Sequence, residues 1–134
     1  MRFADKEGLI TAGNGGISSA IAQLFLAEGA NVTITRGNQA TLEAAARKLG
    51  PDLAAIRADM TDVGAIERAI ATAAEKFGNL DIVFANVGIA ATTPGGKTSL
   101  GTFEQILKIN LTEVLFPIQV AALRTEKAVS RRQI

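Results

Sequence analysis

The sequence predicts an α/β fold, a doubly wound parallel sheet with helices on both of its faces, and three observations predict it. Short apolar runs rich in β-branched residues alternate with longer stretches of helical period, the mark of βαβ units. Glycine follows each of the first three helical stretches, at Gly29, Gly50 and Gly78, where such a residue stops a helix. Residues 80–85 (L-D-I-V-F-A) are nearly all apolar, as a parallel strand covered on both faces should be.

Taken in order, residues 8–12 (G-L-I-T-A) make a first strand that leads through glycines into a helix with Ile17, Ala20, Ile21, Leu24 and Phe25 on one face. Residues 31–35 (N-V-T-I-T) make a second strand, and after Arg36 and Gly37 an Ala-rich helix spans residues 40–49. A third strand follows at residues 53–58, and Thr61 or Asp62 caps a third helix that turns Ile66, Ile70, Ala73 and Phe77 toward the sheet. Beyond the fourth strand, residues 90–101 form a loop rich in Gly, Thr and Pro, suited to ligand contact at a strand's carboxyl end or equally to a plain linker. Thr102 and Gln105 then form a T-x-x-Q capping box for a fourth helix with Phe103, Ile106, Leu107, Leu111, Val114, Leu115 and Ile118, which Pro117 should kink.

A chain of 134 residues suits one domain and one core, here residues 1–123, followed by a basic segment at residues 124–134 that reads as a solvated chain end. Without Cys there is no disulfide or thiolate chemistry, and without His the commonest metal ligand and general base is missing, so no metal site is expected. A formal charge of +1 gives no reason to expect a nucleic-acid partner. No apolar run reaches the ~18 residues of a membrane span, and Arg2, Asp5, Lys6 and Glu7 leave no room for a signal's apolar region; a cytoplasmic setting and no membrane contact are expected.

The most informative segment is I-T-A-G-N-G-G-I-S-S, where Gly13, Asn14, Gly15 and Gly16 stand between strand end and helix start. Glycines there let the backbone turn sharply toward a diphosphate, and the unpaired amides of the first helical turn point at its oxygens. As a G-x-G-x-x-G fingerprint the match is incomplete, since Ser18 stands at the third glycine position. An empty βα turn is the alternative reading of the same residues.

At this point the chain resembles the short-chain dehydrogenase/reductase family, whose T-G-x-x-x-G-I-G signature is matched by Thr11, Gly16 and Ile17, with Ala12 and Ser18 in place of its first and last glycines. Asp59 in A-D-M-T-D resembles the acidic residue that borders the adenine ring together with its neighbour, here Met60. Asn86, Val87 and Gly88 resemble the family's N-A-G element beside the cofactor ribose, and Asn110 resembles its catalytic Asn, which holds a water in a proton relay. These pieces keep the family's order and spacing over residues 3–123. The resemblance implies a three-layer Rossmann-type doubly wound sheet of order 3-2-1-4, held here in part, and a nicotinamide dinucleotide as cofactor.

The second strand ends in Arg36 and Gly37 with no Asp or Glu to bind a ribose diol, so NADP(H) is expected ahead of NAD(H), its extra phosphate paired with Arg36. The family's proton donor is a Tyr in a Y-x-x-x-K motif downstream of the fourth helix, and this chain contains no Tyr. Hydride transfer is therefore expected to be absent or weak; activity through Lys97, Lys108 or Asn110 and a non-catalytic interaction module are the competing readings. An apolar fourth strand at the sheet edge, with the fourth helix, suggests a homo-oligomer.

Overall fold

The structure, a computed structural model, describes residues 1–12 and 16–132, the side chains of Ala12 and of residues 125–132 excepted. The elements are β1 (Glu7–Ala12), α1 (Gly16–Ala27), β2 (Asn31–Arg36), α2 (Gln39–Leu49), β3 (Leu53–Arg57), α3 (Val63–Phe77), β4 (Ile82–Asn86), α4 (Leu100–Leu107), a π turn (Lys108–Thr112) and α5 (Glu113–Arg132). The four strands form one parallel sheet of order β3-β2-β1-β4, the expected Rossmann-type topology.

Strand alternation sorts the core into two layers. Ile10, Val32, Ile34 and Leu53 pack with Ala22 of α1 and with Leu42 and Ala45 of α2 on one face. Leu9 and Ala58 pack with Ile66, Ala69 and Ile70 of α3 and Ala121 of α5 on the other. Asn38 caps α2 by accepting from the Thr41 amide at 3.0 Å, and Asp62, one of the two candidates, caps α3 through the Gly64 amide at 2.9 Å. At Gly29, Gly50 and Gly78 φ is +87°, +95° and +99°, values that side chains with a Cβ rarely adopt.

Several local expectations are corrected. The inward face of α1 is set by buried Ser18 and Ala22, flanked by Ile21, Phe25 and Leu26, while Ile17 and Leu24 stay 62% and 60% exposed. Two small residues a turn apart let the helix lie close against the sheet, and that closeness decides between two stripes of similar period. The cap of α4 is Ser99, which accepts from the Thr102 amide at 3.1 Å, so the helix begins before the T-x-x-Q box and Thr102 sits in its first turn. β4 is half-buried along its length rather than covered on both faces, because it is the last strand of the sheet. The continuous fourth helix is instead α4 and α5 joined by the π turn, and α5 runs on through buried Pro117.

Phe116, Val120 and Ala121 dock α5 on the sheet. Leu100, Phe103, Leu107, Leu111, Leu115 and Ile118, spaced three or four residues apart, remain between 41% and 70% exposed. The stretch Leu100–Arg124, 25 residues that contain an 18-residue window with a mean hydropathy of 1.5, is by length and composition long and apolar enough to cross a membrane, which counting uninterrupted apolar runs missed.

Candidate functional site: the carboxyl edge of the sheet

A parallel sheet ends all its strands on the same side, and that side gathers the residues singled out in the sequence. Gly13, Asn14 and Gly15 lie outside the described residues. Around them the frame is well defined. Thr11, fully buried at the end of β1, accepts the Asn86 amide through Oγ1 at 3.1 Å. Asn86 in turn donates from Nδ2 to Ser18 Oγ at 3.0 Å. Side chains from β1, β4 and the first turn of α1 thus lock strand ends and helix start around the glycine turn.

Ser18 is 1% exposed, so its Cβ fits at the crowded helix–strand contact, and its hydroxyl turns toward β4. Gly16 opens α1 at the surface, and a Cβ built there meets nothing within 4 Å. Ile17 beside it is exposed.

Across the glycine turn, the loop after β4 is tied to the π turn. The Asn110 side chain accepts the Ile89 amide at 2.7 Å and donates to the Ile89 carbonyl at 3.0 Å, a two-bond clasp like one rung of a sheet. Gly88 lies under this clasp, where an added Cβ would sit 3.4 Å from Asn110 Oδ1. A π turn inserts one extra residue into a helix, and such bulges gather at functional sites; here it carries Asn110. Val87 is half-buried between Asn86 and Gly88.

At the end of β3, exposed Asp59 folds its Oδ1 back to accept the Thr61 hydroxyl at 2.7 Å and amide at 2.9 Å, which holds its carboxyl below the ordinary range. Met60 is buried in the core with Ile66 and Leu80. Burial raises the Glu113 carboxyl, and the charge of Asp59 adds to the rise. Arg36 ends β2 half-buried, with its Nε enclosed and unpartnered, and no carboxylate pairs with it among the described residues. Sequence reasoning missed the linking role of Thr11, whose signal was a hydroxyl on an otherwise apolar strand. It also missed Glu113 and Arg57, which only the packing of neighbouring elements brings to this edge.

The short chain dehydrogenase family model matches residues 6–129. The chain belongs to the short-chain dehydrogenase family. It is 32% identical to a sorbitol dehydrogenase of Cereibacter sphaeroides over 122 residues, covering 91% of this chain and 48% of that protein. Among solved structures it is similar to a short-chain dehydrogenase/reductase (glucose/ribitol dehydrogenase) from Brucella melitensis, with 32% identity and a TM-score of 0.85 over 92% of this chain and 53% of that one. A 3-ketoacyl-(acyl-carrier-protein) reductase from Brucella melitensis, complexed with NADH, gives 25% identity and a TM-score of 0.87 over 97% of this chain and 54% of that one. This short-chain dehydrogenase chain therefore spans about half the length of the relatives it matches. Its fold, an oxidoreductase family's dinucleotide-binding architecture, is the one the glycine turn pointed to.

Proposed function

We propose that this chain is the cofactor-binding part of a short-chain oxidoreductase that uses NADP(H) in preference to NAD(H). The observation that carries the reading is the unpartnered, enclosed Nε of Arg36 at the strand end where a diol-binding carboxylate would otherwise stand. A guanidinium held there with no carboxylate beside it among the described residues keeps its charge and its terminal N–H donors for a ligand, and phosphate oxygens suit them. The residues present fit the cofactor. Gly13, Asn14, Gly15, Gly16, Ile17 and Ser18 would hold its diphosphate, Asn86, Val87 and Gly88 would border a ribose, and Asp59 with Met60 would border the adenine.

When bound, the dinucleotide supplies or accepts the hydride exchanged with a carbonyl or alcohol carbon. The chain's own share is positioning: Thr11, Asn86 and Ser18 tie β1, β4 and the start of α1 together, while Asn110 holds the loop after β4 at Ile89 and would place a proton-relay water. With no Tyr and no His in its 134 residues, the chain lacks both the proton donor its family uses for the carbonyl oxygen and the commonest general acid, so binding without appreciable turnover is expected. Fluorescence titration should give saturable NADPH binding that Arg36→Ala weakens more than NADH binding, with no NADPH consumed over a panel of carbonyl compounds. Equal affinity for both dinucleotides in the unaltered chain would reject the cofactor preference.

The exposed stripe of α4 and α5 supports a second element of the reading, pairing with another copy of the chain. A helix whose opposite side already packs on the sheet through Phe116 and Ala121 presents a surface for a protein partner. Leu111→Asp with Leu115→Asp should turn a dimer into a monomer in sedimentation velocity. A monomer already present in the unaltered chain at micromolar concentration would remove this element.

A further inference from the structure

Arg36 and Arg57 close β2 and β3 as register partners, so strand alternation sets them side by side on one face of the sheet. Neighbouring strands run about 4.8 Å apart, and like charges placed opposite one another destabilise a sheet. No carboxylate pairs with either guanidinium among the described residues. Arg57 is also tethered: its Nε donates to the Gly37 carbonyl at 3.1 Å, fixing the guanidinium against the turn that follows Arg36. The first turn of α2, which starts just beyond that turn, carries no acid. An uncompensated pair of cations, one tethered and one with an enclosed, unpartnered nitrogen, breaks the local rules of sheet stability, and such breaks mark functional positions.

We infer that Arg57 is a specificity-determining residue that joins Arg36 in holding the 2'-phosphate of an adenine nucleotide between the two guanidinium groups. The inference rests on the NADP(H) reading above and deepens it. A phosphomonoester carries about −1.5 to −2 charges near neutral pH, enough to need two cations, and its oxygens suit the forked donors of arginine. A nucleotide with a free 2'-hydroxyl leaves the two neighbouring cations without a counter-charge.

Isothermal titration calorimetry of the full chain with 2',5'-ADP and with 5'-AMP tests this. The variants are Arg57→Gln, which keeps an N–H for the Gly37 carbonyl but loses the charge, and Arg36→Ala. The unaltered chain should bind 2',5'-ADP more tightly than 5'-AMP, and Arg57→Gln should lose about tenfold for 2',5'-ADP alone, the scale of one charge-assisted contact. Raising the salt concentration should shrink the difference between the two nucleotides. If Arg57→Gln keeps its affinity while Arg36→Ala loses it, the role of Arg57 is overturned and the cofactor preference stands. An equal loss for both nucleotides in Arg57→Gln marks a structural role and also overturns it. An unaltered chain that binds both alike, or neither, overturns the cofactor preference and this inference together.

Discussion

At the carboxyl edge of the sheet, Thr11, Ser18 and Asn86 satisfy one another across three elements, whereas at the amino edge buried Glu7 finds only half of what it needs. Glu7 is 2% exposed; its Oε1 accepts the Thr33 hydroxyl at 2.9 Å, while Oε2 has no partner. Burial raises its carboxyl to about 7; the Thr33 hydrogen bond opposes that rise and nearby Asp81 adds to it. The amino edge also has a roomy cleft of about 490 Å³, lined by Leu26, Asn31, Leu49, Asp52, Lys76 and Phe77. Room alone does not make a binding site. At the carboxyl edge, side chains of β1, β4 and α1 bond to one another where strand ends meet a helix start, and this linkage distinguishes the edges better than volume does.

The comparison is broken most directly at Glu7. Its pKa in the unfolded chain is near 4.5 and in the folded chain about 7, so the folded state holds the proton more tightly. The resulting stability is fully present below pH 4.5 and is lost as pH rises through 7. That slope amounts to about 2 to 3 kcal/mol across the window. Glu7→Gln carries no proton to lose, so urea unfolding across this pH range should keep only the shallower slope that Glu113 contributes, and the variant should be the more stable protein at pH 8. A slope identical to that of the unaltered chain would show that Glu7 is not the group responsible.

Thr11→Val tests the opposite edge. It leaves the Asn86 amide without its acceptor and should cost about 1 to 3 kcal/mol in urea unfolding, with weaker NADPH binding as the strand ends loosen. Unchanged stability would mean that water replaces the hydroxyl. Asn110→Ala removes both bonds to Ile89 at a part-exposed position and should cost about 1 kcal/mol. Its sharper readout is faster hydrogen exchange at the Ile89 amide, and no change there would argue that the clasp does not hold the loop. The smallest effect belongs to Thr61→Val, which takes one donor from Asp59. The Asp59 carboxyl should titrate closer to the ordinary range by NMR while the fold and its stability stay almost unchanged.

Much of this molecule could be read along the chain, because strands, helices and their stops depend on neighbours within a few residues. Val32 and Ile34, the Asn31–Arg36 alternation and the glycines at the helix ends are local signals, and the elements formed close to where those signals stood. The start of α4 misled for the same reason: Ser99 and Thr102 are both adequate caps locally, and the choice fell to the one that lengthens the helix. The candidate site was legible only where a motif is continuous, as in the glycine turn and the residues 86–88.

What the sequence by itself determined is the set of elements and the run of glycines between β1 and α1, since both are written in local backbone freedom and apolar period. Only the tertiary structure decided that Ser18 rather than Ile17 faces the sheet, that Asn110 clasps Ile89, and that Arg57 stands beside Arg36. Those facts depend on which strands become neighbours and how closely a helix packs, and a bond between residues 21 apart in sequence leaves no local signal along the chain.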